Sequence, residues 1–323
     1  MIRVRVPATT SNLGPGFDAL GLALRVYNTL ELDAAETARI EIEGEGARSL
    51  PRDASHLAYR AALAVVDSVA GPGAGGRHGG RREPWKGQIA CGPHGRILPR
   101  AFHLRQHNRI PLARGLGSSA AAIVSGAAAA NALLGGPLDQ RALIDLAAGM
   151  EGHPDNVAPA VLGGLVACAT AEAGTIRTVR LIPQRLRVVL AIPEFAVSTA
   201  EARRLLPRAV PFDDAIFNVT RTALLLAALI DGRMDLLDDA TRDRLHQPYR
   251  APLVPGLEAV FAAARRAGAN GVALSGSGPT VVAFGDAPGI GDAMCRAFER
   301  AGARCAAIDA EVDTEGAAVE IVS

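Results

Sequence analysis

The sequence predicts a two-domain α+β protein, and three observations carry that expectation. Its 323 residues amount to about two domains of ordinary size. Strand-like and helix-like segments alternate along the chain with no internal repeat and no heptad pattern. The alternation resets at residues 172–175 (Glu-Ala-Gly-Thr), which sets the expected domains at 1–171 and 172–323. A chain of this length buries about three quarters of its extended surface, so its core needs neither disulfide nor metal.

The elements follow in order. Ile2, Val4 and Val6 alternate with Arg3 and Arg5, which predicts a strand over 2–6. A second strand is expected over 22–32, after the Pro/Gly-rich turn 9–18, and a short third over 39–43. Helical periodicity over 57–70 stops at Gly71 and Pro72. Residues 71–96 are rich in Gly, Arg and His and are expected to form a flexible insertion. A strand over 97–105 then leads to the turn 108–117. The clearest helix spans 118–134, with a serine start, an alanine interior and the stop Gly135-Gly136-Pro137. A helix over 139–151 and a strand over 163–170 complete the first half. The second half reads as strand 186–192, helices near 199–206, 216–231, 234–245 and 255–267, and strands 271–275 and 280–284. It closes with helix 288–301 and strand 304–311.

Composition removes several classes of function. Thirty-four Lys and Arg against 33 Asp and Glu leave a net charge of +1, which gives no footprint for nucleic acid or an acidic membrane. Lys86 is the only lysine of the chain. A Walker A loop, a protein-kinase site and a pyridoxal Schiff base each need a lysine in a setting that Trp85-Lys86-Gly87 does not supply. Phosphate chemistry here must therefore use backbone N–H groups, helix dipoles, metal and arginine. Cys91, Cys168, Cys295 and Cys305 lack metal-ligand spacing and read as reduced thiols. The N-terminus alternates like a strand rather than a signal peptide, and the alanine-rich run 120–134 is too short for a membrane span. A cytoplasmic enzyme is expected.

The strongest local feature is Pro111-Leu112-Ala113-Arg114-Gly115-Leu116-Gly117-Ser118-Ser119-Ala120. Its two glycines permit a tight turn and close approach to a ligand. The helix that follows offers unpaired N–H groups, a natural site for phosphate. Taken alone, the segment also fits an ordinary helix start after a glycine turn.

Three further constellations accompany it. Segment 9–18 (Thr-Thr-Ser-Asn-Leu-Gly-Pro-Gly-Phe-Asp) places Asn12 and Asp18 in one bent turn, an amide and a carboxylate suited to a hydroxyl and an ammonium group. Segment 151–159 (Glu-Gly-His-Pro-Asp-Asn-Val-Ala-Pro) sets Glu151, His153, Asp155 and Asn156 on a path fixed by prolines. Its spacing is not that of a zinc site, and Glu151 suits a hard cation such as Mg²⁺. His153 also fits a brace for the loop. Segment 273–280 contains a second glycine turn, Ser275-Gly276-Ser277-Gly278, between two strands. Arg203 and Arg250 offer guanidinium groups that could bind a carboxylate, although most of the 33 arginines are expected at the surface.

These four constellations, in this order, resemble the galactokinase, homoserine kinase, mevalonate kinase and phosphomevalonate kinase (GHMP) superfamily, and within it the homoserine kinase family. The resemblance spans nearly the whole chain. It implies an N-terminal domain like domain 2 of ribosomal protein S5 and a C-terminal ferredoxin-like α/β sandwich. It implies transfer of the ATP γ-phosphoryl group to the hydroxyl of L-homoserine in threonine biosynthesis, with Mg²⁺ and possible homodimers. On this likeness, residues 111–120 wrap the ATP phosphates, Ser119 and Glu151 hold Mg²⁺, and His56 lies near the adenine. Asp18 takes the substrate ammonium, Arg203 and Arg250 its carboxylate, and Gly276 and Gly278 close the pocket. Asn12, Asn156 and Thr199 lie beside the reacting end, and with Glu151 form the implied catalytic group. The resemblance implies attack without a dedicated carboxylate base; Asp155 is the nearest candidate for one.

Other readings stay open from sequence: another small-molecule kinase of the superfamily, or a nucleotide-binding protein without activity. An RNA-binding role would rest on the basic stretch 77–105 alone.

Overall fold

The computed structural model describes residues 1–70, 77–78, 81–82, 98–184 and 186–322. The first sheet is built from β1 (Ile2–Ser11), β2 (Leu20–Ala35) and β3 (Arg39–Gly44), followed by helix α1 (Leu57–Ala70). Within segment 71–96, β4 (Arg77–His78) and β5 (Arg81–Arg82) pair as a short antiparallel ladder. The expectation of a flexible insertion there falls on residues that otherwise lie outside the described ones. Strand β6 (Ala101–Asn108) leads to α2 (Ser118–Leu133), α3 (Gln140–Glu151), α4 (Val157–Leu162), β7 (Leu165–Thr170) and β8 (Ile176–Leu181).

Strands β1 and β2 form the spine, paired antiparallel with a bulge at Pro7/Ala8. β2 continues through β6 to β3, and its start pairs with β7, which pairs with β8. Apolar residues of α2 are buried on nearly every face, because its alanines let it run between the sheet and α1. This burial explains the long small-residue run that the sequence shows.

The second layer comprises β9 (Arg187–Pro193), α5 (Thr199–Arg204), α6 (Phe212–Asp231), α7 (Leu237–Ala240), α8 (Gln247–Arg250) and α9 (Leu257–Arg266). It continues with β10 (Gly271–Leu274), β11 (Val281–Phe284), α10 (Ile290–Arg300) and β12 (Cys305–Glu311). The strand order β10-β11-β9-β12, antiparallel throughout, with α9 and α10 as connecting helices, is the ferredoxin-like β-α-β-β-α-β arrangement. Successive side chains of β9 point to opposite faces. Val189 and Ala191 join the core with α9 and α10, whereas Val188, Leu190 and Ile192 join the first core with Leu225 and Leu229 of α6. One strand thus fastens the two layers together.

Several expectations need correction. The helix expected over 234–245 is a 3-10 turn and the short α7, followed by a non-helical turn before α8. The cause is Asp243, whose carboxylate accepts the amides of Leu245, His246 and Gln247 and so breaks the helical ladder. The strand expected over 97–105 lies at Ala101–Asn108. The start of α2 is capped by Gly117 in a left-handed conformation, with no side-chain bond from a serine. A last strand, β13 (Ala318–Ile321), escaped the sequence reading; it returns to pair with β1. β8 and β13 both lie beyond residue 172 yet belong to the first sheet, so the sheets do not divide the chain at that point. Cys168, Cys295 and Cys305 are free thiols, and Cys91 lies outside the described residues. Among the described residues no helix is long and apolar enough to cross a membrane.

Candidate active site

The glycine turn before α2 folds back on the first and third constellations at once. Ala113, Gly115 and Gly117 all have positive φ, at 52°, 75° and 67°. A Cβ on Gly117 would sit 1.9 Å from the Thr9 hydroxyl, so only glycine fits there. The Ser275 hydroxyl donates to the Gly115 carbonyl at 2.6 Å and lies 2.8 Å from the Thr10 hydroxyl. With Ser118 and Ser119, these residues open the N-terminus of α2 onto a cavity of about 370 Å³. Pro111, Leu112, Arg114, Leu116 and Ala120 shape the turn without lining the cavity. Leu116 and Ala120 are buried in the core. Arg114 donates to the carbonyls of Pro193, Leu112 and Glu194, so it ties the turn to the second layer.

The turn after β1 lines the same cavity. Asn12 accepts the Asp18 amide and donates to the Gly276 carbonyl, both at 3.0 Å. Asp18 makes a two-bond pair with Arg203, at 2.6 and 3.0 Å. The groups expected to bind opposite ends of a substrate thus bind each other here. Arg250 is 1% exposed and donates to the Gly276 carbonyl at 2.9 Å. Burial, reinforced by the charge of Arg203, pushes its pKa down to about 10, so it stays charged at neutral pH. The ring of Phe17 lies under both guanidinium groups, at 5.4 Å from Arg203 and 5.2 Å from Arg250.

Segment 151–156 supplies the third wall. The Ser119 hydroxyl donates to Glu151 at 2.6 Å. His153 Nδ1 lies 2.6 Å from Asp155, which is 2% exposed. Burial alone would lower the pKa of His153, but the hydrogen bond and charge of Asp155 and the charge of Glu151 raise it overall. Asn156 accepts the Thr9 hydroxyl at 2.8 Å and donates to Ser11 at 2.9 Å, so both ends of its amide brace the site. Thr199 begins α5, its hydroxyl 3.2 Å from that of Ser277.

Asn12, Asp18, Glu151, Asn156, Thr199, Arg203, Arg250 and Gly276 all line this one cavity with Ser119. His56 does not; it is 2% exposed, its Nδ1 lacks a hydrogen-bond partner among the described residues, and burial lowers its pKa. Sequence reasoning missed Phe17, Ser11 and Ser277. All three sit inside segments already singled out, but their roles depend on contacts at least 78 positions apart in the chain.

Ser119 and Glu151 present two hard oxygens side by side. Among the described residues, no cluster of three or more His, Cys, Asp or Glu side chains is arranged to hold a metal. A single carboxylate with a hydroxyl fits Mg²⁺ that takes its other ligands from phosphates and water.

The family model for the N-terminal domain of GHMP kinases matches residues 89–164, and the model for their C-terminal part matches 225–303. Homoserine kinase from Moorella thermoacetica is 47% identical over 98% of this chain and 99% of its own. The chain belongs to the homoserine kinase family of GHMP kinases. Homoserine kinase from Desulfitobacterium hafniense is 40% identical over 99% of this chain and 100% of its own. The crystal structure of homoserine kinase from Cytophaga hutchinsonii superposes with a TM-score of 0.80 at 26% identity, covering 99% of this chain and 97% of that one. Mevalonate kinase of L. major, at 16% identity and a TM-score of 0.66, covers 96% of this chain and 95% of its own and shares the fold.

Proposed function

We propose that the chain transfers the γ-phosphoryl group of ATP to the side-chain hydroxyl of L-homoserine, giving O-phospho-L-homoserine and ADP on the route to threonine. The observation that carries this reading is the pairing of Asp18 with Arg203, beside Arg250, in the same cavity as the amides of the glycine turn. A zwitterionic amino acid can insert between Asp18 and Arg203, replacing one internal ion pair by two, with its ammonium on Asp18 and its carboxylate on Arg203 and Arg250. A neutral sugar offers neither charge.

The amides of Gly115 to Ser119 and the start of α2 bind and orient the phosphates. Ser119 and Glu151 would hold Mg²⁺, which when bound offsets phosphate charge. Asn12, Thr199 and Asn156 position the substrate hydroxyl for in-line attack, so the rate gain is one of alignment and charge stabilisation. The new bond joins the side-chain oxygen to the γ-phosphorus as the bond to ADP breaks. The hydroxyl proton passes to an oxygen of the transferred phosphoryl group rather than to a dedicated carboxylate, since Asp155 is already engaged by His153 and Asn156. This chemistry belongs in the cytoplasm, where reduced thiols such as Cys305 persist.

The test is ADP release with L-homoserine, L-threonine, mevalonate and galactose supplied in parallel. L-homoserine is expected to give a kcat/KM higher than the others by about a hundredfold or more. Saturable turnover on another substrate, with none on homoserine, would overturn the reading.

A further inference from the structure

His246 lies outside the cavity lining, yet it is fully buried and joined to two groups that shape the cavity. Its Nε2 is 2.6 Å from the Gly14 carbonyl, and its Nδ1 is 3.2 Å from Nη1 of Arg250. A carbonyl can only accept and a guanidinium can only donate. The ring must therefore be neutral, with its proton on Nε2 and a lone pair on Nδ1 aimed at Arg250. Burial holds its pKa below the ordinary histidine value; Asp243 opposes that shift and the charge of Arg250 reinforces it. Phe17 stacks on the same ring, with centroids 5.2 Å apart.

Arg250 has few alternatives for its position. Its Nη1 bonds to the Gly276 carbonyl and to His246, and its Nε has no hydrogen-bond partner among the described residues. The imidazole itself is placed from behind, because Asp243 accepts the amides of His246 and Gln247 and is itself held by Asn218. The turn at Gly14 has independent support, since Asn218 and Thr222 both donate to the Pro15 carbonyl. Loss of the Arg250 contact would therefore be felt at Arg250 before it is felt at the turn.

We infer that His246 is a positioning residue for amino-acid recognition, its neutral imidazole holding the Arg250 guanidinium in the direction from which it meets a substrate carboxylate. The inference rests on the proposed reaction, and it adds a residue that touches neither substrate nor nucleotide. It is tested by the pair His246→Gln and His246→Asn. Asparagine places an oxygen where Nδ1 stands and keeps an acceptor for Arg250. Glutamine places its amide where Nε2 stands and keeps the donor to Gly14 but loses that acceptor.

H246Q is expected to raise the KM for L-homoserine about tenfold, with kcat and the KM for ATP within about twofold, and H246N to stay within about threefold on all three. Equal rises in both variants, or a KM for ATP rising in step, would overturn the inference and leave His246 as structural support only. Should H246Q fail to fold by circular dichroism, H246N decides. A homoserine KM within about threefold supports the inference, and a rise of about tenfold with ATP unaffected overturns it. Wild-type turnover on L-homoserine, measured alongside, reports on the proposed reaction by itself. Failure of that reading appears in the wild type, and failure of this inference only in the variants.

Discussion

Arg203 shows how far one side chain's role depends on its partner. Its guanidinium pairs with Asp18 across the cavity, and the proposed reaction gives it a second task, to meet the substrate carboxylate. An exposed ion pair contributes little to stability, and this one is about one third exposed on each side. Its removal should therefore act on recognition rather than folding. Arg203→Ala is expected to raise the KM for L-homoserine by about tenfold or more, the loss of one charge-assisted pair, with little change in the thermal midpoint. Steady-state kinetics with either substrate varied checks this; an unchanged homoserine KM would remove Arg203 from the site. At this scale the sequence was informative about residue types and silent about pairings. Asp18 and Arg203 were each legible as charge readers, but their mutual contact spans 185 positions and has no local signal. Phe17 was hidden for the same reason, since an aromatic ring in a glycine-rich turn gains meaning only from the two guanidinium groups above it.

Among the elements, the turn before α2 was the most legible, because its glycines are required by backbone geometry rather than by distant packing. Gly117→Ala forces an L-residue to a φ of 67° and puts its Cβ 1.9 Å from Thr9 Oγ1. We expect a loss of about 1–3 kcal/mol in urea unfolding, accompanied by a higher KM for ATP because Thr9 also braces Asn156. Unchanged stability and ATP affinity would show that the turn adapts freely. The opposite case is the segment after α7. Its residues carry helical periodicity, but Asp243 captures three successive amides and substitutes a side-chain turn for helical bonds. That substitution sets Arg250 in the cavity lining with His246 buried behind it. The pattern misled because local side-chain capture competes with periodicity, and here it prevailed at a functional position.

For the whole molecule, the alternation of elements indicated two layers but not how they are joined. β9 divides its side chains between two cores, Arg114 bonds to carbonyls at and just past the end of β9, and β13 brings the chain end back to β1. Such returns depend on long-range pairing that short windows cannot register. The end of the chain is fastened by Asp313, which accepts the amides of Glu315 and Gly316 and the hydroxyl of Tyr27. Burial, then the hydrogen bond and charge of Asp313, raise the Tyr27 pKa to about 12. A folded-state pKa above the unfolded value means stability that is complete below about pH 10 and lost as pH rises toward 12. Wild type should therefore lose stability between those limits more steeply than Tyr27→Phe, as urea midpoints across that range would record; parallel slopes would refute the linkage. The two layers meet around one cavity, and phosphoryl transfer to L-homoserine is the reaction proposed for it. Phosphorus NMR of the purified protein with ATP, Mg²⁺ and L-homoserine tests it most directly. Stoichiometric ADP and a phosphomonoester on the side-chain oxygen of homoserine are expected. ATP left intact by the folded protein, or inorganic phosphate as the sole product, would contradict it.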